Sequence, residues 1–210
     1  MTTPFSSPVP EQQRTTPGGL HLAPRISIAL CTYNGARFLQ SQLDSFVAQT
    51  RRPDELVVCD DGSADDSIAI LERFAKQAPF PVRIERNPER LGSTKNFEKA
   101  IGLCSGDLIA TSDQDDVWLP EKLALSEAAF AREPDIGLLF TDAEVVDMEL
   151  RPVGHTLWKS IQFGRAARRQ ALAGSVFDVL LRQWLVTGAT MMVRSSWRPF
   201  VLPIFGRRTK

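Results

Sequence analysis

Residues 26–35 read ISIALCTYNG, an apolar run that ends abruptly in a polar turn. The same arrangement returns at residues 55–63, which read ELVVCDDGS. Between the two runs, apolar residues recur at the spacing of one helix face: Leu39, Leu43, Phe46 and Val47. Short apolar runs that alternate with amphipathic helices are typical of a mainly parallel sheet with helices on both faces. The sequence therefore predicts an α/β fold of this kind.

The alternation continues beyond the second run. Further strands are predicted at three short apolar runs, residues 81–86, 107–111 and 136–140. Past Asp142 the pattern is looser, and it predicts two helices and a late strand, at 165–170, 176–185 and 189–193. Ser63, with Asp66 three residues later, resembles a capping box and predicts that a helix begins just after it.

Composition and charge exclude several classes of protein. The chain has 210 residues, of which 43% are hydrophobic and 24% charged, as in ordinary globular domains. Lys and Arg together number 25, as do Asp and Glu, and the basic residues are scattered, so we expect no nucleic-acid binding. Cys31, Cys59 and Cys104 form no CxxC pair and are predicted to be buried free thiols in a reducing compartment.

The first residues and the hydropathy of the chain predict its location. Residues 1–24, rich in Pro, Thr, Ser, Gln and Gly, are expected to form a disordered leader before an ordered domain at 25–210. The chain starts without a secretory signal, and no apolar run approaches the roughly 18 residues of a membrane span, so we expect a cytoplasmic protein. One predicted helix carries a basic cluster that fits either peripheral contact with anionic lipid at the inner membrane or a solvated helix face: Arg165, Arg168 and Arg169.

Three carboxylates follow the fourth predicted strand, at Asp113, Asp115 and Asp116. Carboxylates this close raise each other's pKa unless a positive charge lies between them. Mg²⁺ is commonly held by one or two carboxylates together with phosphate oxygens of a substrate. The motif therefore predicts a clamp for a metal ion and a diphosphate, and the alternative is a solvated acidic turn.

Polar turns follow two other predicted strands, at residues 32–35 and 60–63. Carboxylates such as Asp60 and Asp61 can accept hydrogen bonds from a nucleobase or a ribose, although an Asp-Gly-Ser turn also forms without any ligand. Parallel strands with right-handed crossovers place their carboxyl ends on one edge of the sheet, where ligands bind. The three polar turns are therefore expected to meet.

Other nucleotide and hydrolase motifs are missing from the sequence. It contains no GxGxxG after the first strand, no GxxxxGK[ST] and no GxSxG. Its two histidines, His21 and His155, fall in the leader and in a predicted loop, so a histidine-based metal cage or triad is not expected.

The motifs together resemble those of family 2 glycosyltransferases, over residues 25–203. The segments that carry the resemblance are 28–35, Gln49-Thr50 followed by Pro53, 57–63, 106–107, 113–123 and 187–191. The form Asp-Gln-Asp-Asp-x-Trp-x-Pro, with Lys95-Asn96-Phe97 upstream, is similar to bacterial rhamnosyltransferase-like members.

This resemblance implies a GT-A, Rossmann-like fold, a nucleotide-diphosphate sugar donor, Mg²⁺ or Mn²⁺, and a saccharide or lipid-linked acceptor. Carried over by position, the donor nucleotide would be bound by Cys31, Thr32, Tyr33, Asp60, Asp61, Lys95 and Asp113. Asp115 would be the metal ligand. Lys95 equally fits a solvated lysine at a helix start, and Trp118 fits either a sugar or acceptor pocket or the core.

The resemblance also implies inverting transfer, with a carboxylate base shortly after the Thr-Gly segment at 187–188. We expect that base beyond Lys210, so that the catalytic domain is incomplete at its C-terminus; within the sequence the first candidates are Asp142, Glu144, Asp147 and Asp178. Two alternatives remain open at this point. One is a module that binds nucleotide-sugar without turnover, and the other is a nucleotidyltransferase, whose usual Gly-rich, basic first loop is poorly matched by residues 32–37.

Overall fold

A computed structural model describes residues 23–171, 173 and 187–204 of the chain. These residues contain eight strands: β1 (Ile26–Thr32), β2 (Glu55–Asp60), β3 (Val82–Arg86), β4 (Leu108–Ser112), β5 (Leu138–Phe140), β6 (Glu144–Val146), β7 (Pro152–Thr156) and β8 (Met191–Arg194). The α-helices in the same residues are α1 (Ala36–Val47), α2 (Ser67–Ala75), α3 (Ser93–Leu103), α4 (Lys122–Arg132), α5 (Leu157–Ser160), α6 (Arg165–Gln170) and α7 (Arg198–Val201). Short 3₁₀ turns occupy Gly188–Thr190 and Ser195–Trp197.

Six strands form one sheet in the order β3-β2-β1-β4-β8-β5, and β6 pairs with β7 in a separate antiparallel ribbon. The neighbours β3, β2, β1 and β4 are all parallel, while β8 runs antiparallel to both β4 and β5. The predicted α/β fold with a mainly parallel sheet is therefore confirmed.

Alternate residues of the central strands supply two cores, because successive side chains of a strand point to opposite faces. One core joins Ile28 and Leu30 of β1 to buried residues of α1, α2 and α4. The other joins Ala29 and Cys31 of β1 to the buried face of α3. Helices thus cover both faces of the sheet, and the polar loops lie at its carboxyl edge.

Several local predictions are wrong. Helix α2 begins at Ser67 rather than just after Ser63, because the Ser63 hydroxyl donates to Asp60 and stabilises the preceding turn instead. The late strand begins at Met191, since the residues before it form a 3₁₀ turn in which Thr190 donates to the Thr187 carbonyl. The ribbon of β6 and β7 has no counterpart among the predicted elements.

Other predictions concern membrane contact and the ends of the chain. Among the described residues, no helix has the length and the apolar character that a bilayer span requires. The three arginines of the predicted basic cluster differ in exposure. Arg165 and Arg169 are exposed on α6, whereas Arg168 is half-buried, with its guanidinium 5.5 Å from the ring centroid of Trp158. The predicted leader up to residue 22 and the predicted helix at 176–185 lie outside the described residues.

Candidate functional site

The loops that follow β1 and β4 are joined by one side chain, that of Gln114. Its Oε1 accepts a hydrogen bond from the Tyr33 N–H at 2.7 Å, and its Nε2 donates to the Tyr33 carbonyl at 3.1 Å. The clamp fits only because residue 35 is glycine: a Cβ there would lie 2.2 Å from Gln114 Oε1. Gln114 stands between Asp113 and Asp115, so the clamp fixes the acidic loop against the end of β1.

The loops that follow β1 and β2 are tied together in a similar way. Asn34, whose backbone is in the left-handed region at φ 50°, accepts from the Ala64 N–H at 2.8 Å through its side-chain oxygen. The Asn34 N–H donates to the Ser63 hydroxyl at 2.9 Å. The three polar turns predicted to meet at the carboxyl edge of the sheet therefore do meet.

Asp60 ends β2, and its side chain is 0% exposed. Its Oδ2 accepts from the Thr32 hydroxyl at 2.9 Å and from the Ser63 hydroxyl. Its Oδ1 accepts from the N–H groups of Gly62 and Ser63 at 3.2 and 2.9 Å. Both predicted donor-site residues Asp60 and Thr32 thus take part in one buried network that shapes the turn.

Asp61 holds the loop between β3 and α3. Its oxygens accept from the N–H groups of Leu91 and Gly92 at 2.7 and 2.8 Å and from the Asn87 amide at 2.9 Å. Burial alone would raise the pKa of this carboxyl, but these hydrogen bonds, with Arg90 nearby, hold its pKa below the ordinary value. Asp61 is therefore an ionised anchor for this loop.

The other donor-site residues predicted near the nucleobase differ in accessibility. Cys31 is buried at the end of β1, and burial raises the pKa of its thiol far above the ordinary value. Tyr33 is exposed, and its ring lies under the Arg90 guanidinium, 4.0 Å from Cζ to the ring centroid. Lys95 is exposed at the start of α3 and pairs with Glu98 at 2.8 Å, which fits the solvated-lysine alternative as well as a donor contact.

The acidic loop after β4 carries strongly perturbed carboxyls. Burial, together with the neighbouring Asp116 and Asp115, raises the pKa of Asp113 to about 6. Burial and Asp115 also raise the pKa of Asp116, against the opposing effect of Lys122. Burial lowers the pKa of Lys122 to about 8, although Asp116 partly counters that effect. Accumulated negative charge of this kind favours a bound cation.

The donor set of this loop fits a divalent metal ion that shares its coordination with a substrate. Among the described residues, no three His, Cys, Asp or Glu side chains are grouped closely enough to enclose an ion. A hard cation such as Mg²⁺, however, usually takes only one or two carboxylates and completes its shell with water and phosphate oxygens. Asp113 and the exposed Asp115 can supply such a partial set.

The acidic loop is also linked to the Thr-Gly segment predicted at 187–188. Lys122 donates from Nζ to the Ala189 carbonyl at 3.1 Å and lies 4.2 Å from the ring centroid of Trp118. Trp118 is buried and packs edge-on against Phe46 at 4.8 Å between ring centroids, so it belongs to the core and not to an open pocket. Lys122 thus connects the two loops from inside the site.

The candidate bases lie in different surroundings. Asp142 follows β5, and its Oδ1 accepts from the N–H groups of Ala143 and Trp158. Glu144 is exposed on β6, and Asp147 pairs with Arg151 at the tip of the ribbon. Asp178 lies outside the described residues. Of the three described carboxylates, Asp142 is nearest in the hydrogen-bond network to the Thr-Gly segment, because the neighbouring Thr141 N–H donates to the Thr190 carbonyl.

Sequence reasoning missed Gln114 and Arg90 as members of the site and Lys122 as a link within it. Gln114 had a usable signal, since it lies inside the acidic motif and a glycine ends the first polar turn. Arg90 had none, because an arginine in a polar loop is typical of any solvated surface.

The sequence of the chain is similar to that of known glycosyltransferases. The model of the family described as Glycosyl transferase family 2 matches residues 27–178. The chain is 32% identical over 117 residues to an uncharacterised glycosyltransferase of Nostoc sp., a match that covers 55% of this chain and 35% of that protein. It is 29% identical over 130 residues to a chondroitin synthase of Escherichia coli, covering 62% of this chain and 19% of that protein. The matched stretches therefore span about a third or less of these two curated relatives.

Solved structures show the same architecture. Staphylococcus aureus TarS, solved in complex with UDP, superposes with a TM-score of 0.61 at 20% identity, over 84% of this chain and 48% of that chain. A mannosyltransferase from Pyrobaculum calidifontis, solved with GDP-Man and Mn²⁺, gives a TM-score of 0.53 at 25% identity, over 60% of this chain and 37% of that one. The first likeness establishes the fold, which is the GT-A-like arrangement that the sequence resemblance implied.

Proposed function

Because the chain belongs to glycosyl transferase family 2, we propose that it transfers a sugar from a nucleotide-diphosphate donor to a saccharide or lipid-linked acceptor. One observation carries the proposal: the acidic loop after β4 is clamped by Gln114 to the end of β1, beside the loops that Asp60 and Asp61 anchor. A diphosphate and a nucleoside can be bound together where these loops meet. The relatives named a glycosyltransferase and a chondroitin synthase support the same reaction class.

A divalent cation, Mg²⁺ or Mn²⁺, is part of the proposal. Asp115, with Asp113, would hold it, and the mannosyltransferase solved with Mn²⁺ supports the use of such an ion. When bound, such an ion neutralises the charge that develops on a departing diphosphate. The carboxyl of Asp113, with its pKa raised to about 6, is mostly ionised at neutral pH and presents the negative charge that a cation requires.

The chain's own residues would hold the donor loops and supply the base. The networks of Asp60 and Asp61 hold the loops around the donor, and Lys122 keeps the acidic loop against the Thr-Gly segment. Transfer with inversion requires a base within hydrogen-bond reach of the acceptor hydroxyl, and such a base contributes about 10²–10⁴-fold to the rate. Asp142 is the first described carboxylate to test for that role, and rhamnose, from the form of the acidic motif, is the first sugar to test.

Nucleotide binding with and without metal tests the proposal directly. We expect UDP or dTDP with Mn²⁺ to raise the stability of the wild-type chain, by about 2.7 kcal/mol when the ligand is at a hundred times its Kd. Asp115→Ala should remove the metal-dependent part of that gain while the unliganded stability stays the same, because Asp115 is exposed. The exposed Asp135, after α4, provides the matched control Asp135→Ala, which should bind like the wild type.

Two outcomes would contradict the proposal. Metal-dependent affinity that is unchanged in Asp115→Ala by calorimetry would remove Asp115 from the metal site. Release of pyrophosphate instead of a nucleoside diphosphate during turnover would identify the protein as a nucleotidyltransferase.

A further inference from the structure

Two buried hydrogen-bond donors lie close together in helices α5 and α6. They are Nε1 of the Trp158 indole and Nε of the Arg168 guanidinium, and among the described residues neither atom has a hydrogen-bond partner. The Arg168 Cζ lies 5.5 Å from the centroid of the Trp158 ring. Both side chains are otherwise partly exposed, so a small solute can approach them. Because buried polar groups of native proteins are nearly always paired, one acceptor that serves both atoms would stabilise this part of the chain.

The segment that carries these two donors is strongly basic. Residues 157–170 contain no Asp or Glu and four cations: Lys159, Arg165, Arg168 and Arg169. No ion pair joins any of the four to a carboxylate in the part of the chain that the structure describes. Arg151 on the neighbouring ribbon, by contrast, pairs with both Asp147 and Glu149. The uncompensated charge around the two donors therefore favours an anion.

A water molecule would satisfy the two donors less well than an oxyanion. A water that accepts from both still has two hydrogens to donate, and buried waters typically make about three hydrogen bonds. The side chains packed in the cluster around Trp158 are apolar and offer no acceptor, among them Phe140, Ile161 and Phe163. An oxyanion needs only donors, and charged donors bind it best. A phosphate, with a charge of about −1.5 to −2 at neutral pH, matches four cations better than a carboxylate does.

Trp158 is tied to the candidate site by its backbone. Its N–H donates to Oδ1 of Asp142 at 2.9 Å. Asp142 follows β5, which runs parallel to β4 because both strands are antiparallel to β8, so it lies at the same edge of the sheet as the acidic loop. Strands β8 and β5 lie on one side of β4, and β1, β2 and β3 lie on the other. An anion at Trp158 would therefore lie beside the candidate base, across the acidic loop from the loops that Asp60 and Asp61 anchor.

We propose that Trp158 and Arg168 bind a phosphate group of the acceptor through Nε1 and Nε. This inference rests on the proposed function and narrows its acceptor to a phosphorylated molecule. The phosphate belongs either to the saccharide itself or to the link between a saccharide and a lipid, and the recognition chemistry is the same in both. Held there, it places the acceptor next to Asp142.

Phosphate binding without nucleotide or metal tests the proposal. In NMR spectra of the isotope-labelled chain, inorganic phosphate should shift the indole N–H signal of Trp158, which Trp158→Phe identifies by its loss. Trp158→Phe keeps an aromatic ring against Phe163 and removes one neutral donor, so the phosphate affinity measured by calorimetry should fall about fivefold. Arg168→Met removes a charged donor and keeps an apolar stem, so the affinity should fall about tenfold or more.

The same helix offers a matched control for the lost charge. Arg165 is exposed on α6, and Arg165→Met should keep the phosphate affinity to within about twofold, because exposed charges are screened by salt. Urea unfolding should show that all three variants fold; if Arg168→Met does not, Trp158→Phe alone decides. The soluble esters glucose phosphate and hexyl phosphate separate the two sources, since the ester that binds more tightly than inorganic phosphate shows whether a sugar or a lipid chain carries the group.

The outcomes separate this inference from the proposed function. An indole signal of Trp158 that phosphate does not shift overturns the inference, and so does a phosphate affinity that neither Trp158→Phe nor Arg168→Met lowers. Acetate that binds as tightly as phosphate overturns the choice of ligand. Arg168→Met should bind UDP with Mn²⁺ like the wild type. If the wild type binds phosphate at Trp158 but no nucleotide, the proposed function fails and the phosphate site stands without it.

Discussion

Replacing Gly35 by alanine should release the acidic loop from the end of β1. The new Cβ would lie 2.2 Å from Oε1 and 2.4 Å from Cδ of Gln114, so the amide must leave its place. That movement breaks the two hydrogen bonds to Tyr33, at 2.7 and 3.1 Å. At about 0.5–1 kcal/mol for each partly exposed bond, the chain should lose about 1–2 kcal/mol of stability. Alanine also caps α1 less well than glycine, which adds a smaller separate loss.

A double-mutant cycle separates the clash between the new Cβ and Gln114 from the weaker N-cap of α1. Urea unfolding of Gly35→Ala, Gln114→Ala and the double variant should give a coupling energy of about 1–2 kcal/mol, because Gln114→Ala removes the group that the new methyl would strike. The same three variants should all bind UDP with Mn²⁺ more weakly than the wild type, since Gln114 lies between Asp113 and Asp115. If Gly35→Ala destabilises the chain equally with and without Gln114, the glycine does not serve the clamp and the reasoning is refuted.

Two further predictions concern ionisation. Because the pKa of Asp61 is depressed, its contribution to stability is complete above the ordinary carboxyl pKa of about 3.9 and is lost as the pH falls through the lower folded-state value. In urea unfolding at decreasing pH, Asp61→Asn should therefore lose less free energy of unfolding than the wild type or the exposed-site control Asp135→Asn. An equal loss in all three proteins would contradict this. Burial raises the pKa of Cys59 to about 11 and that of Cys104 to about 12, and Cys31 is buried as well. Ellman's reagent should therefore label these thiols only on unfolding, and rapid labelling of the native chain would contradict this prediction.

The elements built from local pattern were predictable. The strand at 26–32 and the helix at 36–47 follow directly from an apolar run and a helical period, and the meeting of the polar turns follows from the handedness of parallel connections. The short strand Met191–Arg194 was predicted two residues early, since the Thr187 to Thr190 turn depends on hydrogen bonds that a propensity argument does not see.

The division of labour within the site was not predictable. Asp60 and Asp61 are adjacent carboxylates at a sheet edge, and the sequence pattern does not distinguish their roles. The fold directs Asp60 into its own turn and Asp61 into the loop at 87–92, which depends on where each side chain points and on a loop far along the sequence. Long-range placement of that kind is a property of the tertiary structure, so Arg90 became visible only there.

The antiparallel strand β8 has a consequence for how the chain is made. Within the described residues β5 pairs only with β8, which the ribosome completes well after β5 itself. At the usual rate of synthesis the interval is roughly 3 to 10 seconds. During this interval the four parallel strands that carry the loops of the candidate site can already assemble. The outer side of β4 meanwhile remains an open edge, of the kind that pairs with strands of other chains. The half of the sheet that carries the candidate site thus matures first, and we expect the nascent chain to be most prone to aggregation just before Met191–Arg194 emerges to pair with β4 and β5.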